Sequence, residues 1–217
     1  MKNFKIIRFL GRHVIAAGLA FAPLSVAAAD PVSIVALGDS LTAGYGVGPG
    51  ESFPEQLEAA LRRRGHDVTV ANAGVSGDTA SDGLARLEWS VPADADIVIV
   101  ELGANDALRG IDPAVTRKAL SELVAKLKQR GQAVLIAGML APRNLGDEYV
   151  AEFDAIYPDL AAEHSVPLMP FFLEGVAADP GLNQPDGLHP TAAGVARIVE
   201  SILPELEKLI AAAAVKG

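Results

Sequence analysis

The 217-residue sequence contains no cysteine and only four histidines. Without thiols the chain forms no disulfides, no cysteine-based zinc site and no thiol nucleophile. The fold must therefore be held together by its apolar core, and any catalysis must use other side chains.

Cations are scarce. The chain has 18 Lys and Arg against 27 Asp and Glu, a formal net charge of −9, and four of the cations lie in the first 29 residues. Without that segment, 14 cations face 27 acidic residues, which gives a charge of −13 over 188 residues. A field of this sign repels polyanions, so nucleic acid is not expected as a partner. A length of 188 residues is typical of one domain.

Long apolar runs are also missing. The run VIAAGLAFAPLSV is shorter than the roughly 20 residues of a membrane-spanning helix. It follows Lys2, Lys5, Arg8 and Arg12 and precedes three alanines, an order typical of a secretory signal peptide. We therefore predict a signal peptide at 1–29 that is cleaved before Asp30 and a mature domain at 30–217. This predicts a periplasmic or secreted protein without stable membrane insertion.

Short apolar runs rich in β-branched residues alternate with helical patterns. The runs predict strands at 32–37, 67–72, 96–102 and 133–140, with a fifth, weakened by prolines, at 166–172. Helical patterns with apolar faces cover 52–65 and 112–131. This alternation predicts an α/β domain with a parallel sheet between two helical layers. In such domains the ligand binds at the carboxyl ends of the strands.

The first predicted strand runs directly into Gly-Asp-Ser, which places Ser40 at one such carboxyl end. A serine after a strand is usually only a helix cap. At the start of a helix, however, its N–H also points along the positive end of the helix dipole and suits an oxyanion. A serine nucleophile further requires a base, and the base requires an orienting partner.

His189 is the best candidate for that base. It lies in NQPDGLHPTAAG, three positions after Asp186. A turn with this spacing lets the Asp186 carboxylate accept from Nδ1 and leaves Nε2 for Ser40. His66 is most simply an exposed turn residue, and His164 ends a helical segment. An Asp-His metal pair is the rival interpretation, but no HExxH motif or further ligand cluster accompanies it, so no metal is predicted.

Two loops carry candidate donors for an oxyanion. Gly77, in NAGVSGDTA, has no Cβ that would obstruct its N–H, and Asn105, in ELGANDALRG, offers a side-chain amide. Each also has an ordinary explanation, namely a glycine with positive φ and an asparagine that satisfies its own loop. Their occurrence together with Ser40 and His189 favours function.

Four segments, GDSLTAGYG, NAGVSGDT, ELGANDALRG and DGLHPTAAG, resemble in order the four sequence blocks of the GDSL or SGNH hydrolases. The segment IYPDLA with VPLMPFFLEGV is similar to the branch of thioesterase I, lysophospholipase and arylesterase enzymes. The resemblance implies a flavodoxin-like three-layer α/β/α fold and a cofactor-free enzyme. It also implies Ser40 as nucleophile, the Ser40 N–H with Gly77 and Asn105 as oxyanion hole, and His189 with Asp186 completing the triad.

The motifs of other enzyme classes do not fit. An α/β-hydrolase requires Gly-x-Ser-x-Gly, whereas the segment around Ser40 reads Gly-Asp-Ser-Leu-Thr. The glycines that follow it do not complete the Gly-x-Gly-x-x-Gly of a dinucleotide site. A non-catalytic binding module would not require Ser40, Asp186 and His189 together.

We therefore predict a monomeric serine esterase that acts through an acyl-enzyme on aryl esters, medium-chain fatty acyl esters and lysophospholipids, and on acyl thioesters in vitro. The loops 106–112 and 140–149 should reach the crevice. Their apolar residues are the predicted substrate-binding residues, namely Leu108, Ile111, Leu140 and Leu145. The alternative is a carbohydrate O-deacetylase with the same catalytic residues. Sugar sites often use aromatic platforms, and only eight aromatic residues follow residue 29.

Overall fold

The structure is a computed structural model that describes Met1 and residues 30–213. Apart from Met1, the signal peptide predicted at 1–29 lies outside the described residues. The strands are β1 (Val32–Gly38), β2 (Val68–Gly74), β3 (Ile97–Glu101), β4 (Ala133–Ala137) and β5 (Leu168–Met169). They form one parallel sheet in the order β2-β1-β3-β4-β5.

Helices connect the strands and cover both faces of the sheet. They are α1 (Ser40–Ala43), α2 (Phe53–Arg63), α3 (Ala80–Ala85), α4 (Leu87–Ser90), α5 (Ala104–Leu108), α6 (Pro113–Gln129), α7 (Asp147–His164) and α8 (Ala192–Ala213). α2 packs against α8, and α6 packs against α3 and α7. Because parallel crossovers are right-handed, α2 and α8 lie on one face of the sheet and α3, α6 and α7 on the other. None of the helices in 30–213 is long and apolar enough to span a bilayer.

The central strands are buried on both faces. All five positions of β3 are buried, as are Ile34 to Leu37 of β1. Such continuous aliphatic runs suit strands that are covered on both sides. The strand order is that of flavodoxin-like folds, and the predicted three-layer α/β/α fold is confirmed. Since the order reverses at β1, the carboxyl end of this strand is where a ligand site is expected.

The fourth and fifth strands are shorter than predicted. β5 has only two residues because Pro167 and Pro170 flank it and have no N–H to donate to a neighbouring strand. β4 then ends at Ala137 instead of Leu140 because its partner strand ends. The following residues are free to leave the sheet and to line the crevice.

Asn105 lies in a helix and not in the loop that the sequence predicts. α5 is held by the buried Asp106 side chain, which accepts hydrogen bonds from the Ala80 N–H and from the Thr116 hydroxyl, both at 2.9 Å. These contacts fix α5 against the starts of α3 and α6. The position of Asn105 is therefore set by buried hydrogen bonds.

Candidate active site

The turn after β1 places Ser40 at the carboxyl edge of the sheet. Asp39 caps the one-turn helix α1, and its Oδ1 accepts a hydrogen bond from the Leu41 N–H at 3.0 Å. Ser40 is thus the first helical residue, and the capping role belongs to Asp39. A Cβ on Gly38 would lie 2.1 Å from Thr42 Oγ1, so only glycine allows α1 to fold back so closely onto the strand.

Ser40, His189 and Asp186 form a continuous chain of hydrogen bonds. His189 Nε2 lies 2.9 Å from Ser40 Oγ, and His189 Nδ1 lies 2.7 Å from Asp186 Oδ2. With the proton on Nδ1, the ring donates to Asp186 and accepts from the serine hydroxyl. The structure brings the three predicted catalytic residues together in the geometry of a nucleophile, a base and an orienting carboxylate.

The pKa of the Asp186 carboxyl is lowered in this arrangement. Its Oδ1 accepts hydrogen bonds from the backbone N–H groups of Leu188 (2.9 Å) and His189 (3.0 Å). The hydrogen bonds from the backbone and ring of His189 lower the pKa of Asp186 to about 2. The carboxylate is therefore charged at every pH at which an imidazole is neutral, and it stabilises a proton on Nδ1.

Two residues that the sequence analysis missed support His189. The Tyr45 ring packs at a tilt against the imidazole, with ring centroids 4.5 Å apart. Gln184 ties the histidine loop to the end of α1: its Nε2 donates to the Tyr45 carbonyl at 2.7 Å and to the Pro190 carbonyl at 2.9 Å, while its own N–H donates to the His189 carbonyl. The only sequence signal for Tyr45 and Gln184 is that they lie close to the segments that carry Ser40 and His189.

Gly77 and Asn105 both reach the cavity beside Ser40. Gly77 has φ +90°, and a Cβ there would meet nothing closer than 3.6 Å. The backbone conformation therefore favours glycine here, as the ordinary explanation of this residue predicted. Arg109 fixes this peptide by donating to the Gly77 carbonyl at 2.7 Å.

The Asn105 amide uses both of its hydrogens. Nδ2 donates to Asp39 Oδ2 at 2.9 Å and to the Asp78 carbonyl at 3.0 Å. An oxyanion in the cavity would have to share one of these N–H groups in a three-centre bond. The side chain is thus held in place before any substrate arrives, which is the preorganisation that transition-state stabilisation needs.

One apolar cavity of about 450 Å³ opens beside Ser40. Leu108 and Leu140 line it, as predicted, but Ile111 and Leu145 do not. Only the first part of each loop reaches the crevice, because the chain turns away at Gly110, with φ +62°, and in the short 3₁₀ helix at Arg143–Leu145. The sequence analysis missed other apolar lining residues, among them Leu41, Met139, Phe171, Leu173 and Leu188.

A buried arginine links the turn that carries Ser40, the predicted nucleophile, to the loop that carries Gly77. Arg86 is 6% exposed and pairs with the Asp78 carboxylate. It also donates to the Gly38 carbonyl at 2.9 Å and to the Ser90 hydroxyl at 3.1 Å. Asp78 and Gly38 lie next to Gly77 and Asp39, so one guanidinium holds two of the segments that form the site. A single arginine between two short helices gives no signal of this role in the sequence.

The sequence matches the GDSL-like lipase/acylhydrolase family over residues 36–197. The chain belongs to this family. It is 42% identical to an arylesterase of Vibrio mimicus over 85% of its own length and 93% of the relative. It is 38% identical to the thioesterase 1/protease 1/lysophospholipase L1 of Escherichia coli, over 85% and 86% of the two chains. The crystal structure of the SGNH-hydrolase family esterase AlinE4 superposes with a TM-score of 0.71 at 47% identity, covering 84% of this chain and 98% of that one.

The resemblance inferred from the four sequence blocks is therefore confirmed, and this member of the GDSL-like family is a serine esterase. The family match covers the segments that carry Ser40, Gly77, Asn105, Asp186 and His189.

Proposed function

We propose that Ser40, His189 and Asp186 are the catalytic triad of this esterase. The observation that carries the proposal is the chain of two short hydrogen bonds from Ser40 Oγ through the imidazole to Asp186. Ser40 attacks the ester carbonyl while His189 accepts its proton and passes it to the leaving alcohol. Water then releases the acid from the acyl-enzyme with His189 again acting as base, and Asp186 holds the reacting tautomer throughout.

The oxyanion that forms on the carbonyl is stabilised by three donors. They are the N–H of Ser40 at the start of α1, the N–H of Gly77 and the side-chain amide of Asn105, all of which belong to residues that line the cavity. These donors come from three separate segments of the chain. Asp39, Asp78 and Arg109 hold two of them through the hydrogen bonds described above.

The cavity supports an apolar acyl group as the recognised part of the substrate. Its lining is mostly aliphatic, with Phe171 as an aromatic wall. The substrates are therefore aryl esters, medium-chain fatty acyl esters and lysophospholipids, and thioesters are cleaved because they present the same carbonyl. A carbohydrate O-deacetylase would need many polar groups to bind the hydroxyls of a sugar ring, whereas most of this lining is aliphatic.

We further propose that the protein is exported with removal of residues 1–29 and acts as a monomer in the periplasm or the medium. Support comes from the cationic, apolar and small-residue pattern of that segment. Amino-terminal sequencing of the exported protein should begin at Asp30, and light scattering should give the mass of one mature chain. A full-length cytoplasmic product would contradict the export proposal.

The catalytic proposal is tested with Ser40→Ala. The variant should keep the fold, because alanine fits the first turn of a helix, but lose turnover of nitrophenyl esters by about 10⁵-fold or more. In the wild type, a phosphonate that reacts with activated serines should label Ser40 alone. Ser121, whose hydroxyl contacts the ring of His164 at 3.1 Å, is a matched control, and Ser121→Ala should remain fully active. Near-native rates in Ser40→Ala would refute the triad.

A further inference from the structure

Two carboxyl groups lie side by side beneath the nucleophile turn. Asp39 and Glu101 are fully buried, and their side chains are within hydrogen-bonding reach of each other. Glu101 Oε2 accepts from the Thr42 hydroxyl at 2.9 Å and from the Asp39 backbone N–H at 3.3 Å. The Asp39 carboxylate in turn accepts from the Leu41 N–H and from the Asn105 amide. The pair thus joins β3 to both the nucleophile turn and a donor of the proposed oxyanion hole.

The surroundings of Glu101 do not suit a second negative charge. Its Oε1 is buried and has no hydrogen-bond donor within the described part of the chain. Arg86, the buried cation of this region, is bonded to Asp78, to the Gly38 carbonyl and to Ser90. A carboxylate oxygen buried without a donor is strongly unfavourable. A protonated Glu101 carboxyl, by contrast, can donate a hydrogen bond to the neighbouring Asp39 carboxylate.

The proton belongs to Glu101 and the charge to Asp39. Burial and the charge of Asp39 raise the pKa of Glu101 well above its usual range. Burial also raises the pKa of Asp39, to about 6, against the effect of its donors. The other ionisable groups around the pair are Asp106 on α5, Tyr157 on α7, His189 on the loop before α8, and the Arg86–Asp78 ion pair, whose charges cancel.

We propose that Glu101 is a positioning residue which, as a neutral acid, donates a hydrogen bond to Asp39 and thereby holds the Asn105 amide toward the reacting carbonyl. Glu101 touches no reacting atom and acts through Asp39. Without that donor the Asp39 carboxylate is held only by the Leu41 N–H and by Asn105 itself, so the acceptor that fixes Asn105 is less firmly positioned. The inference rests on the proposed role of Asn105 as an oxyanion donor.

The protonation of Glu101 is tested without any measurement of activity. An infrared difference spectrum between wild type and Glu101→Gln at pH 7 should show the carbonyl stretch of a protonated carboxylic acid, shifted in D₂O and lost in the variant. The absence of that band would overturn the proposal. The measurement is independent of the esterase mechanism, so failure of the proposed function would not affect it.

The positioning role is tested with three variants. Glu101→Gln keeps a neutral donor and an acceptor, so kcat should stay within about threefold of wild type. Glu101→Leu removes both, and kcat should fall by about 10- to 100-fold with KM nearly unchanged, because the lost interaction acts on the transition state. In an Asn105→Ala background, Glu101→Leu should lower kcat by less than about threefold, because its effect depends on the Asn105 amide.

The control for loss of a buried polar group is Gln132→Leu. Gln132 is 5% exposed, also has a side-chain oxygen without a partner in the described residues, and precedes β4 at the opposite end of the sheet. Its kcat should not change. A full loss on Glu101→Leu in the Asn105→Ala background, or a large loss in Glu101→Gln, would refute the positioning role. If Glu101→Leu does not fold, the kcat of Glu101→Gln and the infrared band still test the proposal.

Discussion

Two aspartates contact the catalytic machinery, and the structure drives their pKa values in opposite directions. Asp186 lies at the mouth of the site, where its side chain is 38% exposed, and hydrogen bonds lower its pKa to about 2. Asp39 lies at the floor, fully buried, and desolvation raises its pKa to about 6. Both accept backbone N–H groups, so the burial of Asp39, which raises its pKa against the effect of its hydrogen bonds, accounts for the difference.

The difference matches the role proposed for each aspartate. A residue that orients a base must remain charged whenever the base is neutral, and the three hydrogen bonds to Asp186 outweigh the cost of its partial desolvation. A residue that fixes an amide at the floor can tolerate a high pKa because it has to be charged only at neutral pH. In the proposed mechanism, Asp186 at the mouth therefore sets the reacting tautomer, and Asp39 at the floor sets the position of an oxyanion donor.

Removing the charge of Asp186, at the mouth of the site, should reduce kcat more than any change at the floor. Asp186→Asn keeps the shape of the side chain but removes the charge and favours the wrong imidazole tautomer. We expect kcat to fall by about 10⁴-fold, as in the serine-protease template, with little change in KM. Steady-state kinetics with a nitrophenyl ester measure this. Asp179→Asn, in the preceding loop, removes a charge without touching His189 and is the control; a loss below about tenfold in Asp186→Asn would contradict the assignment.

Removing the Asn105 amide, which Asp39 holds in place, should reduce kcat by a smaller factor. Asn105→Ala deletes one of three proposed oxyanion donors, so kcat should fall by about 10²- to 10³-fold. KM should remain within about twofold, because the neutral ester carbonyl gains little from this bond. Burst kinetics would locate the loss in acylation and deacylation alike. An increase in KM with unchanged kcat would indicate a substrate-binding residue instead.

The buried Asp39 should also make the free energy of unfolding decrease as the pH rises. The Asp39 pKa is about 6 in the fold against 3.8 for the free side chain, so the folded state binds the proton more tightly. The stabilising contribution of this group is present below about pH 4 and is lost as the pH rises through about 6. In Asp39→Asn the decline in unfolding free energy between pH 4.5 and pH 7.5 should be smaller by roughly 1–3 kcal/mol.

Reversible urea unfolding at several pH values measures that slope. Asp96→Asn is the matched control, because Asp96 accepts the Ser33 N–H at the opposite, exposed end of the sheet. Its pH slope should follow wild type more closely. Equal slopes in wild type and Asp39→Asn would show that the buried pair does not titrate as inferred.

The same contrast explains what could be predicted from the sequence. Residues at the mouth lie in contiguous motifs, so the sequence could bring Ser40 and the Asp186–His189 pair forward as candidates, and the alternation of strands and helices predicted the fold. The floor depends on contacts between residues distant in sequence. Glu101 occurs at the end of an apolar strand and Arg86 between two short helices, where a charged residue has no distinguishing pattern. Loop direction was also beyond prediction, since it depends on the turns at Gly110 and after Pro142.

The smallest expected effects concern the acyl group at the mouth. Leu108 and Leu140 line the cavity, whereas Ile111 and Leu145 lie on the same two loops outside it. Each buried methylene contributes up to about 0.8 kcal/mol, so kcat/KM should rise over the first few carbons from acetate and level off where the cavity ends. Leu108→Ala and Leu140→Ala should lower kcat/KM for octanoate by about three- to tenfold and leave acetate nearly unchanged.

Ile111→Ala and Leu145→Ala are matched controls, because each removes similar apolar volume from the same loop without altering the cavity lining. Their chain-length profiles from acetate to dodecanoate should follow wild type. Equal effects of all four substitutions would mean that loop packing, and not contact with the acyl chain, determines the rate. A sharp maximum at acetate that no variant changes would contradict an acyl-binding cavity. It would favour the O-deacetylase, since an acetyl group has no chain to occupy the space between Leu108 and Leu140.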